Sequence, residues 1–173
     1  TSPSGSVHIG NFRDIATPYF VVKALQARGK KARLMLSWDD FDRLRKVPVN
    51  VSQIVSGYEQ YIGMPYTKVP NPYNTEEESY GEHFEKEFES ALKVLGINDI
   101  DIKYQSKKYL NGDYTSQIIH ALNNRKKIYD ITMSFKTQEA NSEDRENYYP
   151  VSVYCEKCLK DNVKVLNYNE QTH

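Results

Sequence analysis

TSPSGSVHIGN, residues 1–11, places Pro3, Gly5, His8 and Gly10 at the spacing P-x-G-x-x-H-x-G. Gly5 permits a tight turn. Gly10 has no side chain, so a flat ring can lie against the backbone there. An apolar, helix-compatible run begins at once, at Ile9, Phe12, Ile15 and Ala16. His8 and Asn11 are therefore expected at or near a helix N-terminus, where free N–H groups and the helix dipole favour an anion. A histidine and an amide aimed at that spot suit nucleotide phosphates. The spacing is neither a Walker loop nor a dinucleotide G-x-G-x-x-G. The plain alternative is a loop with a helix behind it and a structural histidine. The coincidence of several residues at fixed gaps favours the nucleotide site.

Moving outward, residues 9–28 read as a helix stopped by Gly29, with Pro18 predicting a kink or break near 16–18. Residues 32–38, ARLMLSW, read as a buried strand. The strand ends in Asp39-Asp40-Phe41-Asp42-Arg43-Leu44-Arg45-Lys46-Val47-Pro48. In an open α/β sheet, ligands sit at the carboxyl ends of strands. Carboxylates there can hold an ammonium group, and Arg43, Arg45 or Lys46 can meet phosphate oxygens. Read singly, each of these charges is as well explained by a solvated loop; the set lies where the fold would put a site.

Further along, a helix is predicted over about 50–61, capped by Asn50 or Ser52, and an extended connection over 63–74. A long helix over 75–95 follows, with Thr75 and Glu78 as its capping box and Phe84, Phe88, Ala91, Leu92 and Leu95 as its apolar stripe. IDIKY, 100–104, alternates as a short strand, and a helix over about 113–129 is capped by Asp113, with Ile118, Ile119, Leu122 and Ile128 inward. Residues 136–147 are polar and read as a mobile loop. YYPVSVYCEKCLKDNVKVLNYN alternates like two strands around a cysteine turn. Helices alternating with strands argue an α/β fold with parallel pairing and a small β element at the end.

Composition bounds the rest. The 173 residues suit one domain or slightly more. Lys plus Arg and Asp plus Glu number 23 each, so net charge gives no support to nucleic-acid binding and only local patches can. Fourteen tyrosines suit half-buried surfaces, with the ring packed and the hydroxyl wet. No run of about 18 apolar residues exists, and no secretory or transit pattern either. The chain opens on a loop that should follow a strand and stops just after a strand-like run, so the expectation is a fragment of a longer protein.

TSPSGSVHIGNFRD together with SWDDFDRLRKVP resembles class I lysyl-tRNA synthetases, the Rossmann-type form of that enzyme. SKKYLNGDYTSQIIHALNNRKKI and YYPVSVYCEKC extend the resemblance over essentially the whole chain. The His-Ile-Gly part is shared across class I synthetases and related nucleotidyltransferases; the DDFDRLRKVP block discriminates. The resemblance implies an α/β fold: an incomplete Rossmann-like parallel sheet, a helical insertion and a small C-terminal β/zinc-knuckle element. The matching divisions are 1–104 for the nucleotide-binding part, 105–147 for the insertion with its polar loop, and 148–173 for the partial knuckle.

It also implies that ATP, with Mg, and lysine give lysyl-adenylate, and that the lysyl group passes to tRNA(Lys). No covalent enzyme intermediate is needed. His8 and Asn11 are the implied catalytic residues; Pro3, Gly5, His8, Gly10 and Asn11 the ATP contacts; Ser2 and Asp39 the amino-acid contacts. Asn11 stands where many class I enzymes carry a second His. Pro18 departs from the family's helix. The second signature loop, the rest of the lysine pocket and the anticodon-binding domain would lie beyond His173, so the fragment by itself is expected to be inactive. A cytoplasmic monomer without membrane contact completes the expectation. A glutamyl-type synthetase or a related nucleotidyltransferase is the nearest alternative. A non-catalytic module binding nucleotide or RNA is the other.

Cys155-Glu156-Lys157-Cys158 is a C-x-x-C turn. Tetrahedral zinc needs four ligands and the turn supplies two; its flanks do not resemble a thioredoxin-type redox motif. The family resemblance implies a second cysteine pair downstream, so Cys155 and Cys158 are read as half of a structural zinc knuckle. His173 is more simply the terminal residue than a third ligand. Basic clusters at 28–33, 43–46, 107–108 and 125–127 can touch tRNA phosphates. Each alone reads as a solvated helix face, and 107–127 is the better candidate.

Overall fold

Leu34–Trp38 forms β1 and pairs in parallel with β2, Ile100–Tyr104, with Leu34 opposite Ile100 and Trp38 opposite Tyr104. The computed structural model describes residues 1–137 and 141–172. The chain divides into two compact units, Thr1–Lys107 and Lys108–His173.

In the first unit the pleat sends Leu34, Leu36 and Trp38 to one face, where all three are buried. Ile15 of α1 (Ile9–Ala27) and Phe88 and Leu92 of α3 (Tyr80–Val94) complete that core. Thr1 lies along the edge of β1 that β2 leaves open. Its nitrogen donates to Ser37 O at 2.8 Å and its carbonyl accepts from Asp39 N at 2.8 Å, the bonding pattern of a parallel pair.

α1 runs without a break through Pro18, contrary to the interruption its sequence suggests. Proline removes one backbone bond, and Ile15, with Tyr19 and Val22, holds the helix on the core across that point. Its end is as read: Gly29 adopts φ 70°, Gly29 N bonds Gln26 O, and Lys30 N bonds Leu25 O, a Schellman closure.

The crossover from β1 to β2 contains α3 and a second core of Leu44, Val51, Tyr58, Tyr66, Val69, Tyr80 and Phe84. α3 therefore serves two cores, the second through its first turns and the sheet through its last. The predicted helix over 50–61 is instead a single turn, α2 (Val49–Ser52), and a separate 3-10 turn at Tyr58–Tyr61. Gly57, at φ 73°, divides them. The capping box stands four residues later than expected: Ser79 accepts from Glu82 N at 3.2 Å. Thr75 instead bonds Asn71 and Glu77 within the preceding loop and His83 of α3.

The helix read over 113–129 is three. α4 (Gln105–Leu110) runs across the boundary of the two units, and α5 (Thr115–Asn123) and α6 (Arg125–Ser134) belong to the second. Asp113 pairs with Lys108 at 3.1 Å rather than capping. Asn124, whose side chain donates to His120 O, separates α5 from α6. Ile118, Ile119, Leu122 and Ile128 are only half-buried, and the buried residue is Tyr129. Within the polar stretch, Ser142–Glu146 forms α7, capped by Asn141; positions 138–140 lie outside the described residues. Arg145 grips Asp130 of α6 with two bonds of 2.6 and 2.7 Å. No strand forms over 148–172 among the described residues, so the expected β element is absent there. Alternation alone, without a pairing partner, does not make a ladder.

Asp40 and Glu85 are both buried in the first unit. Asp40 accepts from Ser106 N at 2.8 Å and from the Ser106 hydroxyl. Glu85 Oε1 has no hydrogen-bond partner. Burial first, then the charges of Asp40, Glu89 and Glu82, push the Glu85 carboxyl up to about 8, against the opposing pull of Lys107. The folded chain thus holds a proton on Glu85 that the unfolded chain releases near 4.5. Stability from this group is full below that value and is lost as pH rises towards 8. Glu85→Gln should flatten that dependence and stabilise the protein at pH 9 by roughly 1–3 kcal/mol, because glutamine does not carry the ionisation penalty of the partly screened carboxyl. Urea unfolding at pH 5 and pH 9 measures both; equal gains at the two values would contradict the assignment.

Candidate active site

His8 is the N-cap of α1. Its extended backbone lets its carbonyl accept from Asn11 N and Phe12 N, and its Nδ1 accepts from Gly10 N at 3.0 Å. A neutral imidazole accepting at Nδ1 carries its proton on Nε2. The cap therefore fixes the tautomer and leaves an Nε2–H donor on an exposed ring. Gly10 is required for this fold-back: a Cβ there would stand 2.8 Å from His8 Cε1. The flat ring lying against Gly10 is thus the histidine itself.

A cavity of about 400 Å³ opens beside this cap. Ser2, Gly5, His8 and Asn11 line it from the first stretch, with Ser4, Ser6 and Val7. Lys46, Pro48 and Asn50 line it from the segment after the charged turn. The two stretches singled out in the sequence thus converge on one space. It offers an imidazole, two amides, the Ser4 hydroxyl, a helix N-terminus and an ammonium group, while the Ser2 and Ser6 hydroxyls donate to Asp42 and Glu87. That set suits phosphate oxygens.

Other expected residues are placed differently. Pro3 is fully buried beneath the loop, and Gly10 makes room for His8; neither lines the cavity. The three carboxylates of the turn divide their contacts. Asp39 Oδ2 lies 3.3 Å from the Thr1 nitrogen. Asp40 is the buried anchor to Ser106. Asp42 accepts from Ser2 Oγ at 3.0 Å. Arg43 and Arg45 are exposed and do not line the cavity; Arg43 pairs its main chain with Pro65.

In the second unit, the basic cluster at 125–127 is engaged internally. Arg125 donates to the carbonyls of Glu146 and Tyr148, and Lys126 pairs with Glu146 at 2.6 Å. Cys155 and Cys158 are free thiols. The backbone N–H of Cys158, then that of Lys157, points at the Cys155 sulfur and holds its thiol below the usual value. Among the described residues no group of three or more His, Cys, Asp or Glu could hold a metal ion, so this pair does not complete a zinc site. His173 lies outside the described residues.

The family model for class I tRNA synthetases of the lysine type, tRNA synthetases class I (K), matches residues 1–173. The chain belongs to this family. It is 44% identical over 160 residues to a lysine–tRNA ligase of Treponema pallidum, covering 92% of the chain and 29% of that relative. It is 42% identical over 154 residues to that of Pyrococcus horikoshii, covering 89% and 28%. With that of Borrelia garinii it shares 41% over 170 residues, covering 97% and 31%. The chain thus spans under a third of the length of these relatives. For a class I synthetase, two parallel strands with helices are an incomplete Rossmann-like α/β fold.

Ser6, Asn50 and Tyr80 were not found from the sequence. Ser6 and Asn50 line the cavity, and the buried Tyr80 donates from its hydroxyl to Ser4 O at 2.8 Å. Tyr80 stands four residues before Phe84, so the apolar stripe of α3 extended backwards would have reached it.

Gly10→Ala isolates the role of the folded-back ring. Alanine raises helix propensity by about 1 kcal/mol, while its Cβ displaces the His8 ring. The expected outcome is an unchanged or higher unfolding midpoint with loss of ATP-dependent activity approaching that of His8→Ala. Parallel unfolding and ATP–pyrophosphate exchange measurements on the full-length protein check it.

Proposed function

We propose that this chain is part of the catalytic domain of a lysine–tRNA ligase, which activates lysine with ATP to lysyl-adenylate and transfers it to tRNA(Lys). The observation that supports the reading is the His8 cap: the residue at the N-terminus of α1 lines a cavity that Asn11 and Lys46 also line. His8 and Asn11 bind the ATP phosphates and stabilise the charge that develops as pyrophosphate leaves. Lys46 adds a cation to the same oxygens. Magnesium accompanies ATP as part of the substrate. Ser2 and Asp39 are the amino-acid contacts in this reading. Within this reading, 1–104 carries the nucleotide, 105–147 is the insertion, and Cys155 and Cys158 in 148–173 are two of a zinc knuckle's four ligands. The proposed setting is a cytoplasmic monomer; among the described residues no helix is long and apolar enough to cross a membrane.

The roles separate kinetically. A donor that strengthens only as charge shifts acts on the rate, whereas a carboxylate facing an ammonium acts on ground-state lysine as well. His8→Ala should slow lysyl-adenylate formation by about 10²–10³ with little change in KM for lysine. Asp39→Asn should raise KM for lysine roughly 10- to 100-fold, the worth of a hydrogen bond to a charged group. ATP–pyrophosphate exchange of the full-length protein with varied lysine measures both. A His8→Ala effect confined to KM for lysine, or an Asp39→Asn effect confined to ATP, would overturn the assignment.

A further inference from the structure

The signature loop between Thr1 and His8 is held at its ends by backbone bonds, to β1 and in the α1 cap. Between those ends its side chains are short: serine at 2, 4 and 6, glycine at 5. Pro3 is buried and Val7 packs on the sheet core, but the stretch from Ser4 to Ser6 between them has little side-chain packing of its own. Tyr80, His83 and Glu87 stand at i, i+3 and i+7 of α3 and share one face of the helix. Tyr80 is buried, stacked on Tyr66 at 5.8 Å and edge-on to Phe84 at 4.7 Å, and its hydroxyl donates to Ser4 O at 2.8 Å. Glu87 accepts from Ser6 Oγ at 3.3 Å, and His83 Nε2 lies 3.8 Å from the same carboxylate oxygen. His83 also stacks on Tyr73 at 4.4 Å, and the Tyr73 hydroxyl accepts from Asn50 on the far side of the cavity.

We propose that this face of α3 sets the position of the signature loop, and that Tyr80 is a positioning residue for the chemistry at His8. The proposal rests on the ATP-site reading above. Two of its contacts reach the loop at alternate residues, Ser4 and Ser6, and the third reaches Asn50. α3 thus ties both walls of the cavity to one rigid helix. A phenol stacked on Tyr66 and held edge-on by Phe84 has a fixed hydroxyl, and a fixed donor on Ser4 O limits how far the loop can drift from His8. A displacement of about 1 Å at a reacting group can cost up to 10²-fold in rate.

Tyr80→Phe keeps the ring and removes only the donor to Ser4 O. Tyr58→Phe is the control: Tyr58 is equally buried in the same core, and its hydroxyl donates to Pro70 O, away from the loop. In the full-length protein, Tyr80→Phe is expected to lower kcat for ATP–pyrophosphate exchange about tenfold with KM for lysine within about twofold, and to speed amide hydrogen exchange in residues 2–8. Tyr58→Phe is expected to do neither. Equal behaviour of the two variants in kcat and in loop exchange would overturn the proposal. If His8→Ala proves silent in the same assay while loop exchange still responds to Tyr80→Phe alone, the ATP-site reading fails and takes Tyr80's role in the chemistry with it, and only the hold of α3 on the loop stands.

Discussion

Asp40 holds the carboxyl ends of the two strands together. It is the second residue after β1, buried to 2% exposure, and both its oxygens bond Ser106, the second residue of α4 directly after β2. A buried anion needs such partners, and the free N–H groups at a helix start supply one. With Asp40 turned inward, its neighbours face elsewhere: Asp39 meets the Thr1 nitrogen and Asp42 meets Ser2. The chain then returns along the 63–66 segment through bonds of Leu44 to Met64 O, Gly63 to Leu44 O and Tyr66 to Asp42 O. That return places Lys46, Pro48 and Asn50 against the signature loop. The cavity's second wall is thus a consequence of where one carboxylate is anchored.

α3 closes the arrangement from the other side. Glu89 accepts from both Trp38 Nε1 and the Tyr104 hydroxyl at 2.9 Å, so one carboxylate fastens the helix to both strands. One turn earlier, Glu85 lies buried beside Asp40 with an unpaired oxygen. Burial first, and then the charges of Asp40, Glu89 and Glu82, keep the proton on Glu85.

What the sequence made legible was local. The helix start near His8, the Gly29 stop and the strand ending at Trp38 depend on neighbours within a few residues, and the structure shows each, with β1 buried on one face only. The nucleotide-type stretch and the charged turn were identifiable separately; their meeting at one cavity followed from the general rule for strand ends. What was not legible depended on distant partners. Nothing in DDFD says that Asp40 rather than Asp39 is buried, because Ser106 lies 66 residues away. The box at Thr75 fits the pattern as well as Ser79 does, and the contacts of Thr75 with Asn71 and His83 decide against it. The alternating residues after 148 carried a strand pattern with no strand to pair with.

Charge completes the argument about phosphate recognition. Equal numbers of acids and bases leave no net charge, and in the second unit Lys108, Arg125, Lys126 and Arg145 face carboxylates and carbonyls of their own unit. Arg145 holds the Asp130 carboxyl below its usual range through a two-pronged bond, and Lys126 does the same to Glu146. Lys108 is paired with Asp113. Long-range steering of an anion is therefore weak in this chain, and geometry has to replace it. The α1 terminus does this with neutral groups: a backbone N–H consumed by His8 Nδ1, and an imidazole N–H left outward in consequence. The proposed phosphate site thus uses the oriented histidine at the α1 cap, with Lys46 as the nearby positive charge.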